Sequence, residues 1–296
     1  MFYRLCFILG LCLFSTLSHA RLISEKKDGA LFVKSATIDE TIKLFNQYHY
    51  TQYSALNSQF PRIYFLRLPT DWKDVPESDD KHRIFIKILI PLILKVNESI
   101  LVERAQIEKM LNKLQNQQNL SIEEEKNLDA LAQKYDAFTR LKDDKRKIVL
   151  LKQLLNKVDT IPPSILTASA GIYSNWGNSR LALEANSLYL KEIWYDNQGL
   201  QPLDDSNADY HYKIYGTLEE SIADQILKIN SSINYAYLRD SRKIARKIGR
   251  PLYGPQIAAT MMLDSNLKNI SGLIDYTFSY YKLQNTDYNP QLEDIK

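Results

Sequence analysis

Side chains that could transfer a proton surround one short motif, residues 168–180 (ASAGIYSNWGNSR). Tyr173 ends its apolar half, and a phenol stays protonated at neutral pH because its unperturbed pKa is about 10. The nearest carboxylates are Glu184, four residues after Arg180, and Glu192. Their spacing favours a structural ion pair between Arg180 and Glu184 on one helix face, and Glu192 is expected in a solvated hairpin. Both acids nevertheless remain candidates for a general acid.

Other chemistries have little support in the sequence. His49, His82 and His211 are scattered, without the close spacing that a zinc site requires. No glycine-rich phosphate loop and no G-x-S-x-G motif is present. We therefore expect neither a metal nor a cofactor.

Residues 1–20 have the pattern of a secretory signal peptide. Arg4 supplies the positive charge, residues 7–14 form an apolar core, and Ser18 and Ala20 make a small-x-small cleavage site. An uncleaved anchor is the alternative that we disfavour, because the apolar run is short for a bilayer. Cys6 and Cys12 are the chain's 2 cysteines, so a processed chain would have no thiol. These features predict export to a periplasm or cell envelope.

The composition is that of a globular protein of 296 residues, with 45% hydrophobic and 25% charged residues. A formal charge of +3 gives no electrostatic case for nucleic acid. The tyrosine count of 19 is high, which either reflects genome composition or marks a groove lined by aromatic rings with polar tips. Five aromatic residues are candidates for such a groove: Trp176, Tyr189, Trp194, Tyr210 and Tyr212.

The first half of the chain reads as mainly helical. Residues 21–58 show little periodicity and are expected to be mixed and partly extended. A short strand or an extended strap packed on the core is expected within residues 60–72. Apolar residues at helical spacing predict a buried helix from residue 84 through Leu111, bent at Pro91, and a connection at residues 112–119. Ser121 and Glu124 fit a capping box for the next helix, and residues 150–158 predict another amphipathic helix.

The second half is predicted to carry the motif on a central helix. Pro162 and Pro163 open this helix, since proline suits the first helical turn, and Asn175 tolerates the left-handed backbone of a sharp turn after it. A small β-hairpin is expected within residues 186–209. Thr217 is the predicted N-cap of a helix over residues 219–237, and further helices are expected at 255–262 and 270–283.

The motif resembles the signature of the bacterial glucosaminidase family, in which an alanine-rich helix is followed by Glu-Ser-Gly-Trp-Gly and a Ser-Arg pair. Five residues match this signature: Ser174, Trp176, Gly177, Ser179 and Arg180. Tyr173 stands where the family carries its catalytic glutamate, and Asn175 replaces a glycine. The segments FPRIYFLRLPTDWKDVP, ILIPLILKVNESILVERAQI, LNKVDTIPPSILTASA and YKIYGTLEESIADQILKINSSINYAYLR resemble the Bax-type branch of that family.

This resemblance implies a mainly α (α+β) fold, with a lysozyme-like helical domain, a small β-hairpin lobe and a glycan cleft between them. The expected organisation is a signal peptide at 1–20, a helical N-terminal region at 21–160, a glucosaminidase-like domain at 161–284 and a loose tail at 285–296. Leu190 and Lys191 look inserted relative to the family, which alters one cleft wall. The implied partner is peptidoglycan or a related N-acetylglucosamine-containing glycan, with an envelope protein as a further partner, and we predict a monomer.

Three functions stay open on the sequence alone. The first is a catalytically degenerate protein that binds peptidoglycan or scaffolds envelope proteins, because Tyr173 removes the acid. The second is an active N-acetylglucosaminidase that uses Glu184 or Glu192 as a relocated acid. The third is a structural or host-facing secreted protein whose cleft is closed.

Overall fold

The computed structural model describes residues 22–51, 54, 58–194, 198–203, 205, 207–250, 253–261 and 271–295. The predicted signal peptide and residues 195–197 of the predicted hairpin lie outside these residues. Helices predominate and the sheets are small, which confirms the predicted mainly α (α+β) class.

The N-terminal region begins with a small sheet. Strands β1 (Ile23–Lys27) and β2 (Ala30–Ser35) are antiparallel, and helix α1 (Ile38–Gln47) follows them. Strands β1 and β2 confirm the partly extended character predicted for this segment, whereas α1, which begins at a capping box of Thr37 and Glu40, was not predicted. Short strands β3 (Gln59–Pro61) and β4 (Ile63–Phe65) come next, and β4 pairs with β2 in parallel.

Helix α2 (Asp79–Gln115) is 37 residues long and runs through the centre of the fold. Ser78 caps its first turn, and Pro91 lies inside it, as the sequence predicted. The helix continues past residue 112, so the predicted connection begins too early. No helix among the described residues is long and apolar enough to cross a membrane.

Two of the next four helices begin at the residues that the sequence predicted. Helix α3 (Ile122–Lys134) starts at a capping box made by Ser121 and Glu124, and α4 (Asp143–Lys157) follows. Helix α5 (Pro163–Tyr173) has proline at its first position and buries nine of its residues, from Pro163 to Gly171. Helix α6 (Arg180–Ala185) is short and is capped by the Ser179 hydroxyl.

The hairpin and the last helices complete the fold. Strands β5 (Glu192–Trp194) and β6 (Tyr210–Tyr212) are antiparallel, which confirms a small hairpin, although its second strand lies just beyond the predicted residues 186–209. Helix α7 (Leu218–Ser231) begins at Thr217, as predicted, but ends before Tyr237 because extended Ser232 starts a new turn at residues 233–235. Three helices follow in order: α8 (Ala236–Lys247), α9 (Gly254–Met261) and α10 (Ser271–Tyr281).

The segment after α10 is ordered, so the predicted loose tail is wrong. A 3-10 turn (Leu283–Asp287) leads to strand β7 (Gln291–Glu293), which pairs in parallel with β3. Asp287 is buried, and its carboxylate accepts hydrogen bonds from Ser164 N–H (3.1 Å), the Ser164 hydroxyl (2.7 Å) and Gly254 N–H (2.8 Å). One carboxylate therefore satisfies donors at the N-termini of both α5 and α9.

The buried side chains form one continuous cluster, to which both the N-terminal region and the α5–α10 region contribute. Helix α2 packs against α4, α5 and α7. The predicted boundary between residues 160 and 161 is therefore not a division of the core.

Candidate functional site

The backbone after α5 makes a sharp turn, residues 174–179, which we call the signature turn. Asn175, Trp176 and Gly177 have φ values of 49°, 53° and 84°, so three successive residues are left-handed. The Ser174 hydroxyl donates to Ala170 O (2.6 Å) and accepts from Gly177 N–H (2.9 Å), which closes the turn on α5. Asparagine at 175 is compatible with this backbone, as the sequence indicated.

Gly177 sits where no side chain fits. A Cβ atom there would lie 2.7 Å from Leu68 Cδ1 and 2.9 Å from Trp72 Nε1. The same Trp72 Nε1 donates to Trp176 O at 3.1 Å, and Trp72 is fully buried. The matching glycine is therefore required by close packing.

Trp176 packs between helices, and its indole is partly buried. Its ring is stacked on His82 of α2, with centroids 4.1 Å apart, and lies 5.1 Å from the ring of Tyr281 of α10. It also approaches α5, because a Cβ atom on Gly171 would lie 3.0 Å from the indole. These contacts make Trp176 an anchor of the signature turn.

A polar network that the sequence did not predict surrounds this anchor. His82 Nδ1 lies 2.5 Å from the Tyr281 hydroxyl, and His82 Nε2 contacts Glu77. The other oxygen of Glu77 accepts from Asn178 Nδ2 at 2.5 Å. Burial raises the pKa of Tyr281, and nearby Asp79 raises it further. No sequence spacing signals this network, because its members come from three separate elements.

Lys81, a residue of α2, connects that helix to the signature turn. Its side chain is 2% exposed, and its ammonium group donates to Asn178 Oδ1 (2.7 Å) and Val75 O (2.8 Å). The same group lies 5.3 Å from the Trp72 ring centroid. A buried cation is tolerated here because two acceptors and an aromatic face replace its water, and because the Glu77 carboxylate lies 3.7 Å from the ammonium group.

Tyr173, at the position of the expected acid, is partly buried and packs against the main core cluster. The ion pair that the spacing predicts between Arg180 and Glu184 is present, with Arg180 Nε 3.0 Å from Glu184 Oε2. Arg180 also donates to Gln201 O at 3.0 Å, which connects α6 to the chain between the hairpin strands. Glu184 therefore has a structural partner in a half-exposed position.

The hairpin brings four of the candidate residues onto one face. Glu192 is opposite Tyr212, and Trp194 is opposite Tyr210. Since alternate strand residues share a face, all four side chains lie on the same side of the two strands. The Trp194 and Tyr210 rings are 5.2 Å apart, and those of Tyr210 and Tyr212 are 5.5 Å apart. Trp194 and Glu192 are exposed, so this hairpin face is open to a ligand.

Tyr189 does not line a groove, so that prediction is wrong. The residue is buried, and its hydroxyl donates to Leu166 O of α5 at 3.1 Å. Burial raises its pKa. The ring became part of the core because a backbone carbonyl of α5 satisfies its hydroxyl, as a buried tyrosine requires.

The described residues contain no group of three or more histidine, cysteine, aspartate or glutamate side chains that could hold a metal ion. The candidate site combines the exposed carboxylate of Glu192, which shares a face with aromatic rings, with a turn that Lys81 and Trp176 hold against α2.

The mainly α fold with a small hairpin places the chain in the α+β class. Comparison with known proteins identifies a similar bacterial protein. The chain is 26% identical over 237 residues to "Protein bax" of Escherichia coli (strain K12), which covers 79% of this chain and 77% of that protein. This similarity supports the resemblance of the chain to a Bax-type bacterial family. No family model matches the chain, and no solved structure matches it.

Proposed function

We propose that this chain is an exported, peptidoglycan-directed protein on a glucosaminidase scaffold, which binds glycan without cutting it. The observation that carries the proposal is the signature turn. Every matching residue that builds it has a structural contact, whereas the position of the family's acid holds Tyr173.

The loss of a general acid lowers the rate at which a glycosidic bond is hydrolysed. General acid catalysis contributes roughly 10²- to 10⁴-fold to a rate, and a tyrosine is a poor donor to a glycosidic oxygen because its unperturbed pKa is about 10. Glu184 is a weak replacement because it is paired with Arg180. A chain with this site is expected to bind its glycan and leave it intact.

The hairpin face is the proposed binding surface. Stacked or tilted aromatic rings offer apolar faces to sugar C–H groups, while tyrosine hydroxyls offer hydrogen bonds. Trp194, Tyr210 and Tyr212 provide both, and Trp194 is exposed. The apolar core and cleavage site within residues 1–20 support export to the compartment where peptidoglycan lies. Within the envelope, we propose a monomer that can also contact a protein partner.

A second candidate function is active hydrolysis by a relocated acid. The observation that favours it is the position of Glu192, an exposed carboxylate on the same hairpin face as Trp194. In that case Glu192 is the proton donor and the aromatic rings hold the sugar beside it.

One experiment distinguishes these functions. The purified protein, a Tyr173→Glu variant and a Tyr173→Gln control are incubated with peptidoglycan sacculi, and new reducing ends are counted. Cutting by the Tyr173→Glu variant alone supports the degenerate enzyme. Cutting by the unaltered protein, lost in Glu192→Gln, supports the second function. If none cuts and none co-sediments with sacculi, both are overturned, and a structural or host-facing protein with a closed cleft is left.

A further inference from the structure

Two lysines of α2 have similar aromatic surroundings but different charges nearby. Lys95 lies 5.0 Å and 4.8 Å from the ring centroids of Phe32 and Tyr64. Its ammonium group also pairs with Glu219 at 2.7 Å. Lys95 is thus a partly buried cation whose charge is neutralised by a carboxylate, unlike Lys87 two turns earlier.

Lys87 is also partly buried, and its ammonium group lies 5.3 Å and 5.5 Å from the rings of Phe45 and Tyr50. It donates to Tyr50 O at 2.9 Å, but no carboxylate among the described residues forms an ion pair with it. Residues 52–57 (QYSALN), which follow Tyr50 and Thr51 in the chain, contain no aspartate or glutamate. Burial, together with Arg83, lowers the pKa of Lys87. Within the part of the chain that the structure describes, Lys87 is therefore a half-buried cation without a counter-charge, which is unfavourable in the absence of a partner.

Lys87 lies in the wall of a cavity of about 540 Å³ between α1, α2 and the turn after α10. This volume is in the range of small-molecule sites, which is roughly 300 to 1,000 Å³. Most of the wall is apolar and includes Ile42, Tyr50, Phe60, Ile84, Ile90 and Leu283.

The residues that line the cavity carry more positive than negative charge. Arg83, Lys87 and Lys282 are positive, and Asp80 is the negative residue among those that line the cavity. Apolar walls with an excess of positive charge favour a ligand that has a hydrocarbon body and an anionic group.

We propose that this cavity binds a small amphipathic anion, a carboxylate or phosphate monoester on a hydrocarbon chain, whose charged group pairs with Lys87. The anion occupies for Lys87 the place that Glu219 has for Lys95. The hydrocarbon chain lies against the isoleucine and aromatic walls. This site is separate from the hairpin face and does not depend on glycan binding.

The first test uses the purified protein with three probes of equal chain length: decanoate, decyl phosphate and decanol. Binding is measured by calorimetry below the concentrations at which the probes form micelles. We expect at least one anion to bind at least tenfold more tightly than decanol. The relative affinity of decanoate and decyl phosphate identifies the preferred anionic group. Equal binding of decanol, or no binding of either anion, would overturn the proposal.

The second test removes the charge of Lys87. Lys87→Met keeps an unbranched side chain of similar length, and we expect about tenfold to hundredfold weaker binding of the preferred anion, the usual effect of losing a charged hydrogen bond. Lys95→Met is the matched control and should keep the affinity. Unchanged binding in Lys87→Met contradicts the proposal.

A third measurement needs no variant. Reductive methylation of the unaltered protein, followed by peptide mass spectrometry, reports how accessible each lysine is. The bound anion should slow methylation of Lys87 and leave Lys95 unaffected. Equal rates for Lys87 with and without the anion would place the ligand elsewhere and overturn the assignment.

Discussion

The imidazole of His82 and the indole of Trp176 are stacked, with centroids 4.1 Å apart and planes 15° from parallel. This contact joins the first turns of α2 to the signature turn, and Lys81 and Asn178 join them again by a hydrogen bond of 2.7 Å. The turn is thus positioned from α2, a helix that begins at Asp79, 95 residues before the turn begins at Ser174. These two contacts, which fix the geometry of the signature turn, do not involve Tyr173.

Gly177→Ala should be strongly destabilising. The new Cβ meets Leu68 and Trp72 at less than 3 Å, and the φ of 84° disfavours any side chain. Overpacking and backbone strain together should lower the free energy of unfolding by about 2–4 kcal/mol, measured by urea denaturation.

Gly249→Ala is the control for strain alone, because Gly249 has a φ of 66° but no atom lies within 4 Å of the position that a Cβ would take there. It should lower the free energy of unfolding by only about 1 kcal/mol. Equal losses in the two variants would show that packing at Gly177 is not the reason for the glycine.

Arg242→Met should also be strongly destabilising. Arg242 is 1% exposed, and its guanidinium donates to four backbone carbonyls at residues 156–160 and to Asn230 Oδ1. Asp159 O keeps a second donor, Asn230 Nδ2 at 2.9 Å, but the other partly buried carbonyls lose the donor that Arg242 supplies. We therefore expect a loss of about 3–5 kcal/mol in chemical denaturation.

Arg146→Met provides the comparison at the surface. Arg146 pairs with Asp129 at 2.7 Å, and both side chains are well exposed. Such a pair contributes about 0–1 kcal/mol. A loss in Arg242→Met no larger than this would refute the role of Arg242 as a donor to the end of α4.

Asp287 should make stability depend on pH. Burial raises its pKa to about 6, although hydrogen bonds from Ser164 and Gly254 act in the opposite direction. In an unfolded chain the pKa of aspartate is about 3.9. Because the folded pKa is the higher one, protonation favours the folded state. The contribution of Asp287 is therefore fully present below about pH 4 and is lost as the pH rises to about 6, by up to ~3 kcal/mol.

Asp287→Asn removes this titration. The difference in free energy of unfolding between the variant and the unaltered protein should change between pH 4 and pH 6 and be constant above. Asp129→Asn removes a carboxylate from the exposed pair with Arg146, and should differ from the unaltered protein by no more than about 1 kcal/mol at any pH. A pH-independent difference for Asp287→Asn would contradict the assignment.

Trp194→Ala should weaken binding to peptidoglycan sacculi. Trp194 is 56% exposed and lies beside Tyr210 on the hairpin face. An aromatic residue at the centre of a binding surface contributes about 2 kcal/mol or more, so we expect at least about tenfold weaker co-sedimentation. Phe138→Ala removes an aromatic ring that is 71% exposed elsewhere on the molecule, and its binding should be unchanged. Equal effects of the two variants would exclude the hairpin face as the binding surface.

Local signals in the sequence predicted most of the helices. The capping box at Ser121, the N-cap at Thr217 and the proline at the start of α5 each act within one helical turn, so neighbouring residues suffice to predict them. The capping box of Thr37 and Glu40 is an equally local signal, so the start of α1 is also predictable from neighbouring residues.

The errors concern contacts between distant residues. Tyr189 is buried because Leu166 O accepts its hydroxyl, and the last residues are ordered because β7 pairs with β3. The network likewise depends on three elements meeting: the start of α2 with Glu77 and His82, α10 with Tyr281, and the signature turn with Asn178. Periodicity and capping carry no information on such meetings, which depend on tertiary packing.

The carboxylate of Asp287 is 123 residues further along the chain than Ser164, whose hydroxyl and N–H it binds. During synthesis, the helix that carries the signature is therefore made long before the group that completes its first turn. A shortened chain that stops at residue 282 would retain every residue of the signature turn, yet the first turn of α5 would lack its acceptor. The integrity of the candidate site is thus coupled to a segment that contributes nothing to its chemistry.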